Sequence, residues 1–213
     1  MTHASELAPP AAPMHTSAHA STHAHDAPVS AISRSRVEFL FDGVFAIAMT
    51  ILVLELRVPD LVNHRSSAEL ARGLSQYAST FGSYLLSFFV LGSFWYRHNH
   101  QYRYFQTITI PILVLHFVQL AAAAFFPFCA ALFGRYPFNP LSAAIYVGCV
   151  LTFQLATVLA WIIGRRAGAM SADLSDDTYR RTLRRTLRQL VLATALLVFY
   201  VVKVTTGVGT GFW

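Results

Sequence analysis

Long uninterrupted runs without an ionised side chain constrain this chain more than any other feature. None lies between Arg72 and Arg97, between Arg103 and Arg135, between Arg135 and Arg165, or between Arg188 and Lys203. Each of the first three runs exceeds the roughly 20 residues that cross a bilayer core of about 30 Å. Charged residues make up only 12% of the 213 positions, against roughly 25% in soluble domains. Lipid offers no hydrogen bonds to the backbone, so such runs have to satisfy it internally as helices. The expected fold class is an all-α integral membrane protein.

Five apolar segments are predicted to span: Val37 to Leu56, Tyr77 to Tyr96, about Ile108 to Phe133, about Leu141 to Gly164, and Leu190 to about Thr206. The bundle is therefore expected to hold five to six transmembrane helices over residues 33–213. Pro111 and Pro127 fall in the third segment, which a membrane helix tolerates at the cost of a kink. Residues 1–32 are rich in Ala, Pro, Ser, Thr and His without apolar periodicity, as in a disordered low-complexity tail. His19, His23 and His25 in that tail read as solvated rather than metal-binding. Cys129 and Cys149 lie inside apolar stretches, where a thiol behaves as a small hydrophobe; no disulfide and no metal site is read from them.

The formal charge of +6 reports topology rather than nucleic-acid binding. With the N-terminus cytoplasmic, that side holds Arg34, Arg36, Arg97, Arg103, Arg165, Arg166, Arg180, Arg181, Arg184, Arg185 and Arg188, and the opposite side only Arg57, Arg65, Arg72 and Arg135. This asymmetry places the N-terminus inside, in a multi-pass protein of a cell (inner) membrane. The stretch from Asp173 to Arg188 reads as an amphipathic, arginine-rich approach to the fifth helix among anionic membrane lipid headgroups, as a solvated topogenic loop more often than as a dedicated lipid site.

Asp42 is out of place in an otherwise apolar first segment. An acid inside a membrane span costs roughly 2.5 to 3.5 kcal/mol on insertion scales, so it needs a partner or a watered cavity. Arg36, Trp95, Arg97, His98, Asn99 and His100 all lie near it in depth. Glu38, one turn before it on the same face, adds a like charge and calls for a cation from that set. Further along, Ile47, Ile51 and Leu54 recur at helical spacing with Thr50 beside them, although such a stripe more often faces lipid or protein than a pore.

No nucleotide loop, nucleophile elbow or zinc-spacing motif appears, so no enzyme is read from the chain. A secondary transporter or proton-coupled carrier using Asp42, His98 and Lys203 stays open, against the lack of an internal repeat. So does a membrane haem protein using His98, His100 and His116, although a membrane histidine is more often simply packed.

The run from Arg36 to Leu56, Arg-Val-Glu-Phe-Leu-Phe-Asp-Gly-Val-Phe-Ala-Ile-Ala-Met-Thr-Ile-Leu-Val-Leu-Glu-Leu, resembles the first-helix signature of the transmembrane protein 175 family. That signature has Arg, three residues, then Phe-Ser-Asp and a similar downstream run; here Leu40 and Phe41 stand where it has Phe-Ser. Leu85 to His98, ending Trp95-Tyr-Arg-His98, resembles the family's second helix, with Asn99 in place of a second His, and Phe126-Pro127-Phe128 resembles a third feature. The resemblance is specific over roughly residues 36–135.

It implies a potassium-selective cation channel, built as a homotetramer around the first helix of each subunit, with potassium as the permeant ion and no cofactor. By position, Ile47, Ile51 and Leu54 are the pore constriction and Thr50 assists selectivity. Arg36, Asp42, Trp95 and His98 form a structural hydrogen-bond network holding the pore helix. The family's repeat has six helices where this chain shows five clear apolar ones, and Gly207 to Trp213 is too short to cross again.

Overall fold

A computed structural model describes residues 33–206, and the predicted tail and Gly207 to Trp213 lie outside them. The described residues form helices joined by loops, without a strand. Its elements are α1 (Arg34–Ile51), continued by a 3-10 turn (Leu52–Glu55), then α2 (Ser67–Gln76), α3 (Ala78–Tyr102), α4 (Ile110–Arg135), α5 (Pro140–Arg166) and α6 (Asp176–Thr206). Among the described residues, four helices are long and apolar enough to cross a membrane: α1 with its 3-10 turn, α3, α4 and α5. These coincide with the first four predicted segments. The fifth is the C-terminal half of α6, whose N-terminal half is the arginine-rich stretch; a topogenic loop was expected there, and one continuous helix of 31 residues is found.

α2 is the sixth helix, and it is a short surface element rather than a span. Ser66 caps it by accepting from the Glu69 amide at 3.2 Å. The Glu69 carboxylate accepts from the amides of Val62 and Asn63 at 2.8 and 3.1 Å, tying the preceding loop to the helix start. Asp and Glu in a first turn are also favoured by the helix dipole.

The core is a layer in which α4 packs on α5, with α1 and α3 against α4 and α6 against α5. The helices are clamped by polar groups that lipid cannot satisfy. The Ser83 hydroxyl donates to the Ala130 carbonyl at 2.7 Å, Gln119 Nε2 donates to Thr157 at 2.7 Å, and Ser87 pairs with the Tyr146 hydroxyl at 3.2 Å. Pro127 sits inside α4, which runs through it to Arg135, and Pro111 is at the helix start, where its missing amide is not needed.

Two glycines of the long helices mark close approaches. A Cβ on Gly134 would lie 3.0 Å from Ser83 Cβ and 3.2 Å from the Thr80 backbone, so α3 and α4 touch there. A Cβ on Gly164 would lie 2.5 Å from the ring of Phe105. That ring is buried and hemmed in by Tyr102, His116 and Trp161, so it has nowhere to go. Gly164→Ala is expected to cost roughly 1 to 3 kcal/mol by overpacking, read as a lowered midpoint in thermal unfolding of the detergent-solubilised protein.

The outer surface is apolar. Phe39, Leu54, Phe89 and Ile110 are among many large apolar side chains left exposed on the spans. A single water-surrounded subunit does not expose patches of this extent, so lipid or neighbouring subunits cover them.

Candidate functional site

α1 has two faces of opposite character. Val37, Phe41, Phe45, Ala48 and Leu52 recur at spacings of four, four, three and four and are buried against α3 and α4. Phe45 meets Phe153 of α5 edge-on at 5.8 Å. The expected constriction residues lie on another face and are uncovered: Ile47 is 60% exposed, Ile51 40% and Leu54 75%.

α-Helical geometry stops at Ile51, yet the stripe survives. In the 3-10 turn that follows, residues three apart eclipse one another, so Leu54 stays in line with Ile51. Gly43 and Leu40, earlier by three- and four-residue steps, extend the same uncovered row towards the start of the helix. Thr50 is exposed beside it, its hydroxyl donating to the Ile47 carbonyl at 2.8 Å. That bond uses the proton and leaves both lone pairs of the oxygen able to accept from a donor or meet a cation.

Of the four expected anchor residues, two meet. Trp95 Nε1 donates to Asp42 Oδ1 at 2.8 Å, joining α1 to α3 near the end of the bundle where α1 begins. The partner of Asp42 is therefore an indole N–H, and the cation expected between Glu38 and Asp42 is not there: the ion pairs among the described residues are Arg165–Asp176 and Arg181–Asp177. Arg36 is exposed and makes no polar contact among the described residues, lining a cavity of about 130 Å³ with Val37, Leu40, Leu113 and His116.

His98 belongs to a different arrangement. It is buried, and its ring stacks on Phe41 with centroids 3.5 Å apart and planes 6° from parallel. His116 of α4 stands edge-on to both, 5.5 Å from each ring, and Tyr102 closes the cluster at 5.1 Å from His98. Neither His98 Nε2 nor His116 Nδ1 has a hydrogen-bond partner among the described residues. This aromatic cluster was not anticipated as a unit. The signal for it was Phe41 itself, an aromatic ring standing where the family signature has serine, and His98 packs on that ring.

The start of α1 is held separately. The Tyr102 hydroxyl donates to the Arg34 carbonyl at 2.9 Å, and the Arg34 guanidinium lies 5.5 Å from the centre of the same ring. α1 is thus fixed at three levels by α3, on the side away from its uncovered stripe.

Comparison with known proteins agrees with the first-helix signature. Residues 36–127 match the family model described as endosomal/lysosomal potassium channel TMEM175. Over that segment the chain is similar to the TMEM175 family. A potassium channel of Streptomyces collinus is 28% identical over 130 residues, covering 59% of this chain and 62% of that one. The Gallus gallus protein named endosomal/lysosomal proton channel TMEM175 is 32% identical over 130 residues, covering 57% of this chain and 26% of that one. The chain thus spans less than two thirds of the length of either relative. A crystal structure of a lysosomal potassium-selective channel TMEM175 homolog from Chamaesiphon minutus superposes with a TM-score of 0.67 at 22% identity, covering 83% of this chain and 90% of that one. The TMEM175 fold is therefore present here, including the parts outside the matched signature.

The Asp42–Trp95 bond is testable in isolation. Trp95→Phe keeps the ring and deletes the donor, leaving a membrane-level carboxylate without its partner. The expected loss is roughly 1.5 to 3 kcal/mol, the range for a hydrogen bond to a charged group. Asp42→Asn, which keeps an acceptor for the indole, is expected to lose less in the same thermal-unfolding measurement.

Proposed function

We propose that this chain is a potassium-selective cation channel of the TMEM175 family, assembled as a homotetramer in a cell membrane with its N-terminus cytoplasmic. In this reading the α1 helices of four subunits surround the pore. Rings of Ile47, Ile51 and Leu54 form a hydrophobic constriction, and Thr50 assists selectivity. The observation that carries the reading is the uncovered stripe on α1, which lies apart from the face locked into the subunit. A helix anchored on one side and bare along Leu40, Gly43, Ile47, Ile51 and Leu54 has the form needed to line an axis.

The physics of such a ring is that of a hydrophobic gate. A narrow apolar passage holds few waters, and an ion crosses only by shedding part of its hydration. Potassium is less strongly hydrated than sodium, so the same constriction favours potassium without carbonyl ligands. Asp42 and Trp95 contribute by position, fixing the rotation of α1 so that the stripe and not the buried face points to the axis.

Relatives are named both as potassium channels and as proton channels, so the test has to separate the two ions and a carrier as well. The full-length protein is reconstituted into liposomes, and potassium, sodium and proton fluxes are compared under imposed gradients. Potassium flux that exceeds sodium flux and does not saturate supports the reading. Proton flux without potassium flux, or saturating proton-dependent uptake through Asp42 and His98, overturns it in favour of a proton channel or a carrier.

A further inference from the structure

α6 packs along α5 but stands away from α3, and the space between them has two contiguous parts. The upper part is a groove of about 550 Å³ whose walls are mainly apolar, Val90, Phe94, Val150, Ala193 and Leu196 among them, with Gln154 and Gln189 also lining it. The lower part is a pocket of about 950 Å³ bordered by Arg97, Arg181, Arg184, Arg185 and Arg188, with His100 beside them. Tyr96, Arg97 and Arg185 line both. No carboxylate lines either part, and the acid closest along the helix, Asp177, pairs with Arg181 at 3.6 Å, leaving the other arginines unneutralised.

The gap is held open by structure rather than by chance placement of side chains. Arg97 Nη1 donates to Gln189 Oε1, and Gln101 Nε2 donates to the Thr186 hydroxyl at 3.4 Å, so two polar struts bridge α3 and α6 across it. Arg97 is also fixed by its Nε donating to the Ser93 carbonyl at 3.2 Å and by the Phe94 ring 5.1 Å below its guanidinium. Four arginines of α6 at positions 181, 184, 185 and 188 fall on one helical side through three- and four-residue spacing. They lie at the end of the bundle where α3 and α5 end and α1 begins, which is the headgroup level for a helix that turns apolar from Leu190 onwards.

We infer that the cleft between α3 and α6 is a binding site for one anionic phospholipid, its phosphate-bearing headgroup among Arg97, Arg184, Arg185 and Arg188 and an acyl chain in the groove lined by Val90, Ala193 and Leu196. Guanidinium forks match phosphate oxygens two at a time, which a disordered bulk headgroup layer does not exploit. An acyl chain fills an apolar groove that water cannot wet. The joint requirement for negative charge and a hydrocarbon tail selects a lipid over free phosphate. A lipid wedged there stabilises α6 against α3 by replacing the helix contact that is missing.

The test measures binding and does not depend on conduction. Full-length protein purified in a zwitterionic detergent is given phosphatidylglycerol, phosphatidylcholine or inorganic phosphate, and retained lipid is counted by native mass spectrometry alongside thermal unfolding. Phosphatidylglycerol alone is expected to be retained and to raise the unfolding midpoint. Arg185→Gln with Arg188→Gln is expected to weaken retention roughly 25-fold, about fivefold for each arginine at the membrane surface. Leu196→Trp, which blocks the groove and leaves every arginine in place, is expected to abolish retention, while Arg180→Gln, outside the pocket, leaves it unchanged. Equal retention of the two lipids, or stabilisation by inorganic phosphate alone, overturns the inference. So does dissociation of the assembly by Leu196→Trp with lipid retention intact, which assigns the groove to a second copy of the chain.

Discussion

Ile47→Asn is expected to raise the resting potassium leak of reconstituted liposomes by roughly tenfold or more and to bring sodium flux close to potassium flux. A tenfold rise corresponds to lowering the barrier at the ring by about 1.4 kcal/mol. Ile47 is 60% exposed on α1 and is not among the buried core residues, so the substitution is expected to spare the subunit's packing. In the proposed tetramer it changes the wall of the passage: four amides at one level would let water remain where four isoleucines would expel it, and a wetted ring would no longer sort ions by dehydration. Ile47→Leu keeps the wall apolar and is expected to keep the leak low. An Ile47→Asn protein with unchanged leak and selectivity moves the constriction elsewhere or places the stripe against lipid.

The spans were legible because the physics that produces them is one-dimensional. A run without charge such as 136–164 has a single way to satisfy its backbone in lipid, and α5 is found there with ends close to the expected ones. Ends marked by charge were less legible. α3 continues past Tyr96 through Arg97 to Tyr102, because a guanidinium that can lie on Phe94 and bond Gln189 does not stop a helix. α2 was missed although Ser66-x-x-Glu69 is a capping pattern, since ten residues without an apolar run give no period to read. The site divides in the same way. The stripe from Ile47 to Leu54 follows from spacing alone, whereas the pairing of Asp42 with Trp95, and of His98 with Phe41 and His116, depends on how helices are rotated about their axes. Several residues of α3 share the depth of Asp42, and only packing in three dimensions chooses among them.

Phe41→Ala is expected to be the most damaging single truncation in α1, lowering stability by roughly 2 to 3 kcal/mol. Phe to Ala in a water-soluble core costs about 3 to 5 kcal/mol, the sum of lost transfer from water and the cavity left behind. In a bilayer the separated helix would expose Phe41 to hydrocarbon rather than water, so much of the transfer contribution disappears and the cavity dominates. That cavity is severe here. Phe41 is 1% exposed, lies face to face on His98, and is met edge-on by His116, so its removal strips one side from two buried imidazoles at once. Neither ring can recover the loss by bonding, because His98 Nε2 and His116 Nδ1 have no partner within reach among the described residues. Phe39→Ala is the matched control: the same atoms are deleted from the same helix at a position that is 75% exposed, and the unfolding midpoint is expected to stay put. A large drop for Phe41→Ala with none for Phe39→Ala places the anchorage of α1 in the Phe41–His98–His116 stack. Equal small effects would place it in the Asp42–Trp95 bond instead, and Trp95→Phe would then show the larger loss.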